Sequence, residues 1–372
     1  MKEPDNNTRA FLSLVSAGLW ESEVRLSSVG AVDFNAVYQL AQEQSVVGLV
    51  AAGIEHLVDV RVPKELALAF AGDTLQQEQR NNAMNCFLVD LVDKLRKNGV
   101  YCLLLKGQGI AQCYEKPLWR SSGDIDLFLN EDSYKKAESL LSQHASRIDE
   151  ELLYTKHLAF TIDTWEVELH GSLRGGLLRR IDKMLDDVQA KVFYDGKVRS
   201  WINEKAQIFL LNADEEIIYL FSHILEHFFK GGVGLRQLCD WSRALWTFKE
   251  KLDTNLLEKR LYDAGIMSEW RAFAAFAVDY LGLPVEAMPF YSSSTKWSRK
   301  GRRILSFVLE TGNMGHNRDL SYYEKKPFLE RKLISLWRHT KDGFKYLLIF
   351  PMDAVRLWLK MLNGGIKAVI RK

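Results

Sequence analysis

The sequence predicts an α+β fold: a small mixed β-sheet core flanked by N-terminal and C-terminal helical regions. Two observations carry this expectation. Apolar residues recur at helical spacing through the first part of the chain, as in Phe11, Leu12 and Val15 and again in Leu88, Leu91, Val92 and Leu95, and the pattern is helical again beyond 204. Between the helical regions lie short apolar or alternating runs that read as strands, beginning at residues 100–105. Helices, then strands, then helices again is the order of an α+β chain and not of a doubly wound sheet.

Each element follows from local chemistry. Residues 8–97 read as mostly helix, and 65–95 hold no proline and many strong helix formers. Asn98-Gly99 closes that helix. Residues 100–105 form a buried strand, Lys106-Gly107-Gln108-Gly109 a turn, and 110–114 a helix broken by Pro117. Residues 125–129 form a second strand, and Asn130 caps a helix over 131–143. Residues 158–162 and 167–169 add strands, and 192–202 read as a hairpin around Asp195-Gly196. Beyond 204 the pattern is helical: 215–229, ended by Gly231-Gly232, then 235–248, then two helices within 256–281. Ser292-Ser293-Ser294-Thr295 marks a linker, and 328–362 is helical around Pro351. The expected division is 1–98, an N-terminal helical region; 99–203, the α/β core; 204–290, a helical domain; and 291–372, a C-terminal helical extension.

The chain has 372 residues, 47% apolar and 26% charged, which is ordinary for a globular protein. A net charge of +2 gives no global field that would favour nucleic acid or membrane. Cys86, Cys102, Cys113 and Cys239 form no C-x-x-C pair, which argues against a structural zinc site and fits a reducing compartment. The N-terminus is polar, and no window approaches the roughly 18 apolar residues of a spanning helix. The expected location is cytoplasmic.

The chemistry concentrates in the strands. Asp124 and Asp126 flank Ile125, so strand alternation places both carboxylates on one face. Such a pair repels itself unless a cation lies between, and a divalent ion such as Mg²⁺ answers that need. The glycines after Lys106 let backbone N–H groups approach a phosphate at a helix N-terminus, although a plain turn has the same residues. In residues 165–170 alternation puts Glu166, Glu168 and His170 on one face, and either glutamate could supply a third carboxylate to a two-metal site. His223 and His227 lie one helical turn apart. Pairs like this are more often structural than metal-binding, and without an H-E-x-x-H pattern zinc-protease chemistry is not supported. Asp240 reads either as a helix acid paired with Arg236 or as a base.

Taken in order, these residues resemble the DNA polymerase beta-type nucleotidyltransferase superfamily. More narrowly, they resemble an uncharacterised bacterial nucleotidyltransferase family. The matching positions are Leu105-Lys106-Gly107, Tyr114, Arg120, Asp124-Ile125-Asp126-Leu127 and Glu168-Leu169-His170, followed by His223, His227, Arg236 and Asp240. The motifs span residues 100–241. The wider superfamily places Gly-Ser after the first strand, where this chain has Gly107-Gln108. The resemblance implies transfer of an NMP from an NTP to an acceptor hydroxyl with release of pyrophosphate. It implies two Mg²⁺ ions at Asp124, Asp126 and Glu168, and nucleotide contacts from Lys106, Gly107, Gln108 and Arg120. His170, His223, His227 and Asp240 are left for acceptor or base contacts. The expected acceptor is a small molecule. A tRNA or protein acceptor, as in toxin-type members, and non-catalytic nucleotide binding are the alternatives. The near-neutral charge weighs against tRNA.

The last segment, 345–372, interleaves Tyr346, Phe350 and Trp358 with Arg356, Lys360, Lys367, Arg371 and Lys372. It reads as an amphipathic helix that packs on the helical domain or lies peripherally on a membrane surface. Asp353, Arg356 and Lys360 argue against a spanning segment.

Overall fold

Four helices open the chain: α1 (Asn6–Trp20), α2 (Phe34–Glu43), α3 (Val47–Glu55) and α4 (Lys64–Lys97). Asp5 and Asp33 cap α1 and α2 by accepting from Thr8 and Asn35 N–H groups. The computed structural model describes residues 3–318 and 327–370, so Arg371 and Lys372 lie outside the described residues.

The sheet has seven strands: β1 (Leu103–Leu105), β2 (Asp124–Phe128), β3 (Arg147–Ile148), β4 (His157–Ile162), β5 (Trp165–His170), β6 (Val198–Asn203) and β7 (Ala206–Leu211). Their order is β3-β4-β5-β2-β1-β7-β6. β2 runs parallel to β5 and β1 parallel to β7, while the other pairs are antiparallel, so the sheet is mixed as expected. The short helix α5 (Gly107–Ala111) follows β1, and α6 (Glu131–Ser142) follows β2 with Asn130 accepting from the Ser133 N–H.

Strand alternation then sorts the two faces. Ile125, Leu127, Val167 and Leu169 point one way and share a core with Leu88, Leu91 and Leu95 of α4 and with Ala137 and Leu141 of α6. Each such aliphatic side chain contributes about 1.5–3 kcal/mol on burial. The intervening Asp124, Asp126 and Glu168 take the opposite face, which the later helices cover. The later helices are α7 (Arg179–Tyr194), α8 (Ala213–Lys230), α9 (Leu235–Phe248), α10 (Thr254–Asp263), α11 (Met267–Leu281), α12 (Thr295–Thr311), α13 (Phe328–Leu347) and α14 (Pro351–Ile370), of which α7, α8 and α9 lie over this face. Phe221 of α8 packs between Trp241 of α9 and Trp270 of α11, with ring centroids 5.2 and 4.9 Å away.

One expected element is absent. Residues 192–202 are not a hairpin around Asp195-Gly196. Residues 179–194 form α7, which buries Ile181, Leu185, Val188 and Val192 along one side, and Gly196 leaves the helix at φ 62°. A left-handed glycine ends a helix as readily as it turns a hairpin, so the dipeptide is ambiguous without α7 in view. The hairpin is formed by β6 and β7, turns after Asn203 and carries the sheet to Leu211.

Candidate active site

The acids are brought together by register. On the parallel neighbours β2 and β5, Asp124 lies opposite Glu166 and Asp126 opposite Glu168. Asp124, Asp126 and Glu168 each offer a carboxylate oxygen, all within 4.8 Å of one another. Glu166 is exposed and stands outside this cluster. Repulsion from Asp126, followed by burial, raises the Asp124 pKa. This is the strain expected of crowded like charges.

Cationic groups face the acids. Lys106 Nζ lies 3.1 Å from Asp126 Oδ1. Its backbone sits at φ 50°, ψ −142°, a conformation that costs a non-glycine residue about 1–3 kcal/mol and recurs at functional sites. Gly107 follows at φ 44°, where a Cβ would be strained. This kink at the end of β1 aims Lys106 at the carboxylates. Burial pulls the Lys106 pKa down, but Asp126, Tyr219, Asp124 and Glu168 together raise it, so the ammonium stays charged. His170 Nε2 lies 2.8 Å from Asp126 Oδ1 and 3.5 Å from Glu168 Oε2. His157 Nε2 lies 2.9 Å from the same Glu168 oxygen. Burial alone would raise the Glu168 pKa, but the two imidazoles hold it well below the carboxylate range. His170 moves the other way: burial lowers its pKa, and Asp126 and Glu168 more than offset that.

A cavity of about 370 Å³ separates this face from the helices. The acids, Lys106, Gly107, His157 and His170 line it from the sheet side. Tyr219, His223, His227 and Lys230 of α8 and Arg236 of α9 line it from above, and Leu173, Leu177, Ile181 and Leu185 form an apolar wall. The His223 and His227 Nε2 atoms are 3.1 Å apart. Burial first, then the Lys106 charge, pushes both pKa values down, that of His227 to about 4. Both rings are therefore neutral at pH 7, one donating to the other.

Two other expected residues are placed differently. Asp240 pairs with Arg120, not Arg236. Arg120 Nε and Nη2 donate to its two oxygens at 2.8 and 2.7 Å, and Tyr114 donates to it at 2.7 Å. The planar guanidinium matches a carboxylate edge to edge, so the buried Asp240 is saturated and ties α9 to the loop before β2. Arg236, one turn earlier, donates to the Ser121 carbonyl at 2.8 Å and leaves its buried Nε without a partner. Gln108 is buried on the far side of α5, where its amide donates to Asn81, and it does not line the cavity.

His157, Tyr219 and Lys230 carry no motif in the sequence, and Arg236 reads there only as a family match and the expected ion-pair partner of Asp240. The place of His157 depends on its pairing with His170 across β4 and β5, which strand periodicity alone does not give.

A protein-family profile described as "uncharacterised nucleotidyltransferase" matches residues 30–282, well beyond the span of the motifs. No curated protein and no solved structure matches the chain. Among the described residues, no helix is long and apolar enough to cross a membrane.

Proposed function

The chain belongs to this family of uncharacterised nucleotidyltransferases, and from that premise we propose that it moves an NMP from a Mg²⁺-bound NTP to the hydroxyl of a small molecule, with release of pyrophosphate. The observation that carries this reading is the cluster of Asp124, Asp126 and Glu168 at the floor of the cavity. An all-oxygen donor set suits Mg²⁺. Asp124 and Asp126 would hold two ions and Glu168 one of them, and the ions would supply activation of the attacking oxygen and neutralisation of the leaving phosphate. The order of glycine turn, Asp-x-Asp strand and third acid supports a polymerase beta-type core.

The remaining roles belong to the chain itself. Lys106 and Arg236 present positive charge where phosphate oxygens would lie, and the unpartnered Arg236 Nε favours an anion there. The acceptor oxygen attacks the α-phosphorus, the bond to the β-phosphate oxygen breaks, and the hydroxyl proton passes to the neutral His223–His227 pair. The apolar wall at Leu173, Leu177 and Ile181 excludes water and receives the unreactive part of a substrate. Arg120 acts indirectly, by holding Asp240 and with it α9. All four cysteines are free, which supports a reducing, cytoplasmic setting.

The C-terminal hairpin supports a peripheral contact with an anionic bilayer surface. Trp337 and Phe344 share one face of α13, Leu348 follows its last turn, and Met352, Val355 and Leu359 share one face of α14, all exposed. Asp342 and Asp353 are buried in ion pairs with Arg318 and Arg180, and Arg356 also pairs with Asp353, so Lys341 presents positive charge beside Trp337.

The test of the catalytic reading is incubation with α-labelled NTPs, Mg²⁺ and a small-molecule cell extract. Label in a new product, lost in Asp126→Asn, supports it. If no NTP is bound or transferred, the reading is wrong.

A further inference from the structure

We propose that the metal site of this chain extends onto nitrogen: His157 and His170 join Glu168 as ligands, so the site takes a first-row transition metal in preference to Mg²⁺. This rests on the reading above only in sharing Glu168, and it concerns binding, not transfer.

His157 and His170 are direct partners across the antiparallel pair β4 and β5. Their rings stack at 4.8 Å with planes 25° apart, so both Nε2 atoms arrive on the same side. They lie 2.9 and 3.5 Å from one oxygen, Glu168 Oε2, and the three donor atoms all fall within 4.8 Å of each other. Donors held about 2.1 Å from one ion lie roughly 3.0 Å apart at octahedral angles and roughly 3.4 Å apart at tetrahedral ones. The two contacts to Glu168 fall at those spacings.

The hydrogen bonding separates the two rings: His170 Nε2 lies 2.8 Å from Asp126 Oδ1, a contact that a bound ion would replace, whereas His157 Nε2 has no such partner. His157 Nε2 is buried and close to Glu168, yet makes no aligned hydrogen bond. An imidazole whose only task was to orient the carboxylate would donate to it.

The donor chemistry then selects the ion. Two imidazoles and one carboxylate on adjacent strands make a mixed nitrogen and oxygen set with room for further ligands. Mg²⁺ binds imidazole poorly, whereas Co²⁺ and Zn²⁺ bind it well. Glu168 belongs to both this group and the Asp124–Asp126 group, and a carboxylate has two oxygens with which to serve both. The proposed arrangement is a shared centre with an oxygen-only side and a nitrogen-bearing side.

The test uses the full chain stripped of metal, with Mg²⁺, Co²⁺ and Mn²⁺ as probes. Calorimetry should show Co²⁺ binding about 100-fold or more tightly than Mg²⁺. His157→Gln should weaken Co²⁺ binding by about 10–100-fold, and by more than it changes Mg²⁺ binding. Pulsed EPR of the Mn²⁺-loaded wild type should show nitrogen hyperfine coupling, a measurement that stands even if a variant fails to fold. Absence of that coupling, or Co²⁺ affinity unchanged in a folded His157→Gln, overturns the inference while Mg²⁺-dependent transfer remains intact. Nitrogen coupling in a protein that transfers no nucleotide upholds the inference and removes the catalytic reading.

Discussion

Asp126 and Glu168 are direct register partners on the parallel strands β2 and β5. This pairing closes the three-carboxylate cluster, because a shift of one residue would turn Glu168 into the core occupied by Val167 and Leu169. The two acids nevertheless have separate tasks in the proposed reaction. Glu168→Gln should lower the rate of transfer by about 10²–10³-fold and change NTP affinity little, because it removes support on the acceptor side only. Asp126→Asn should weaken both. Single-turnover transfer and calorimetry with Mg²⁺-NTP separate the two, and equal loss of binding and rate in Glu168→Gln contradicts the assignment.

Arg120 and Arg236 both line the cavity, yet substitution should reveal opposite characters. Arg120 is locked to Asp240 in a buried pair. Asp240→Ala leaves that guanidinium uncompensated and should cost about 3–5 kcal/mol in urea unfolding. Arg236 gives up one hydrogen bond, to the Ser121 carbonyl, and no close ion pair on truncation. Arg236→Ala should cost about 1 kcal/mol and weaken NTP binding by about tenfold or more. If Arg236→Ala destabilises as strongly as Asp240→Ala, Arg236 is a structural residue.

The histidine pair predicts an acid-sensitive fold. Burial, and then the Lys106 charge, lowers the folded-state pKa of His227 to about 4 from an ordinary 6.5, and His223 shifts the same way. Between those values the unfolded chain binds protons that the folded chain does not. Stability is therefore complete above pH 6.5 and falls as the pH drops towards 4, by at most about 1.4 kcal/mol per unit for each histidine. His227→Gln should flatten the profile of unfolding free energy against pH in that window. An unchanged slope removes His227 as its source.

Much of this site was legible because strand alternation is strict. Ile125 between two acids, and Val167 and Leu169 around Glu168, reveal which side chains face away from the core. What alternation does not carry is register and long-range pairing. The choice between Glu166 and Glu168, and the approach of His157, depend on which residues stand opposite across β4, β5 and β2. The partner of Asp240 came from 120 residues away, not from the neighbouring helical turn. Residues 179–194 were missed for a local reason. The segment opens with arginines and no capping side chain, and its apolar side emerges only in the spacing of Ile181, Leu185, Val188 and Val192.

The C-terminal hairpin gives the last prediction. Trp337, Phe344 and Met352 are 68%, 65% and 67% exposed, a density of large apolar side chains that a surface without a partner rarely carries. They flank the turn between α13 and α14, and Lys341 lies 5.6 Å from the Trp337 ring. Aromatic rings beside basic groups suit the headgroup region of an anionic bilayer, where rings partition and lysines meet phosphate. Full-length protein should float with vesicles of phosphatidylcholine and phosphatidylglycerol and bind phosphatidylcholine alone much more weakly. Phe344→Ser with Met352→Ser should reduce flotation by about tenfold or more without altering the fold, because both side chains already face solvent. High salt should weaken the contact by screening the lysines, leaving the apolar part. Light scattering supplies the contrary outcome: a dimer that this double substitution dissociates would mean that the hairpin faces a second copy of the chain and not lipid.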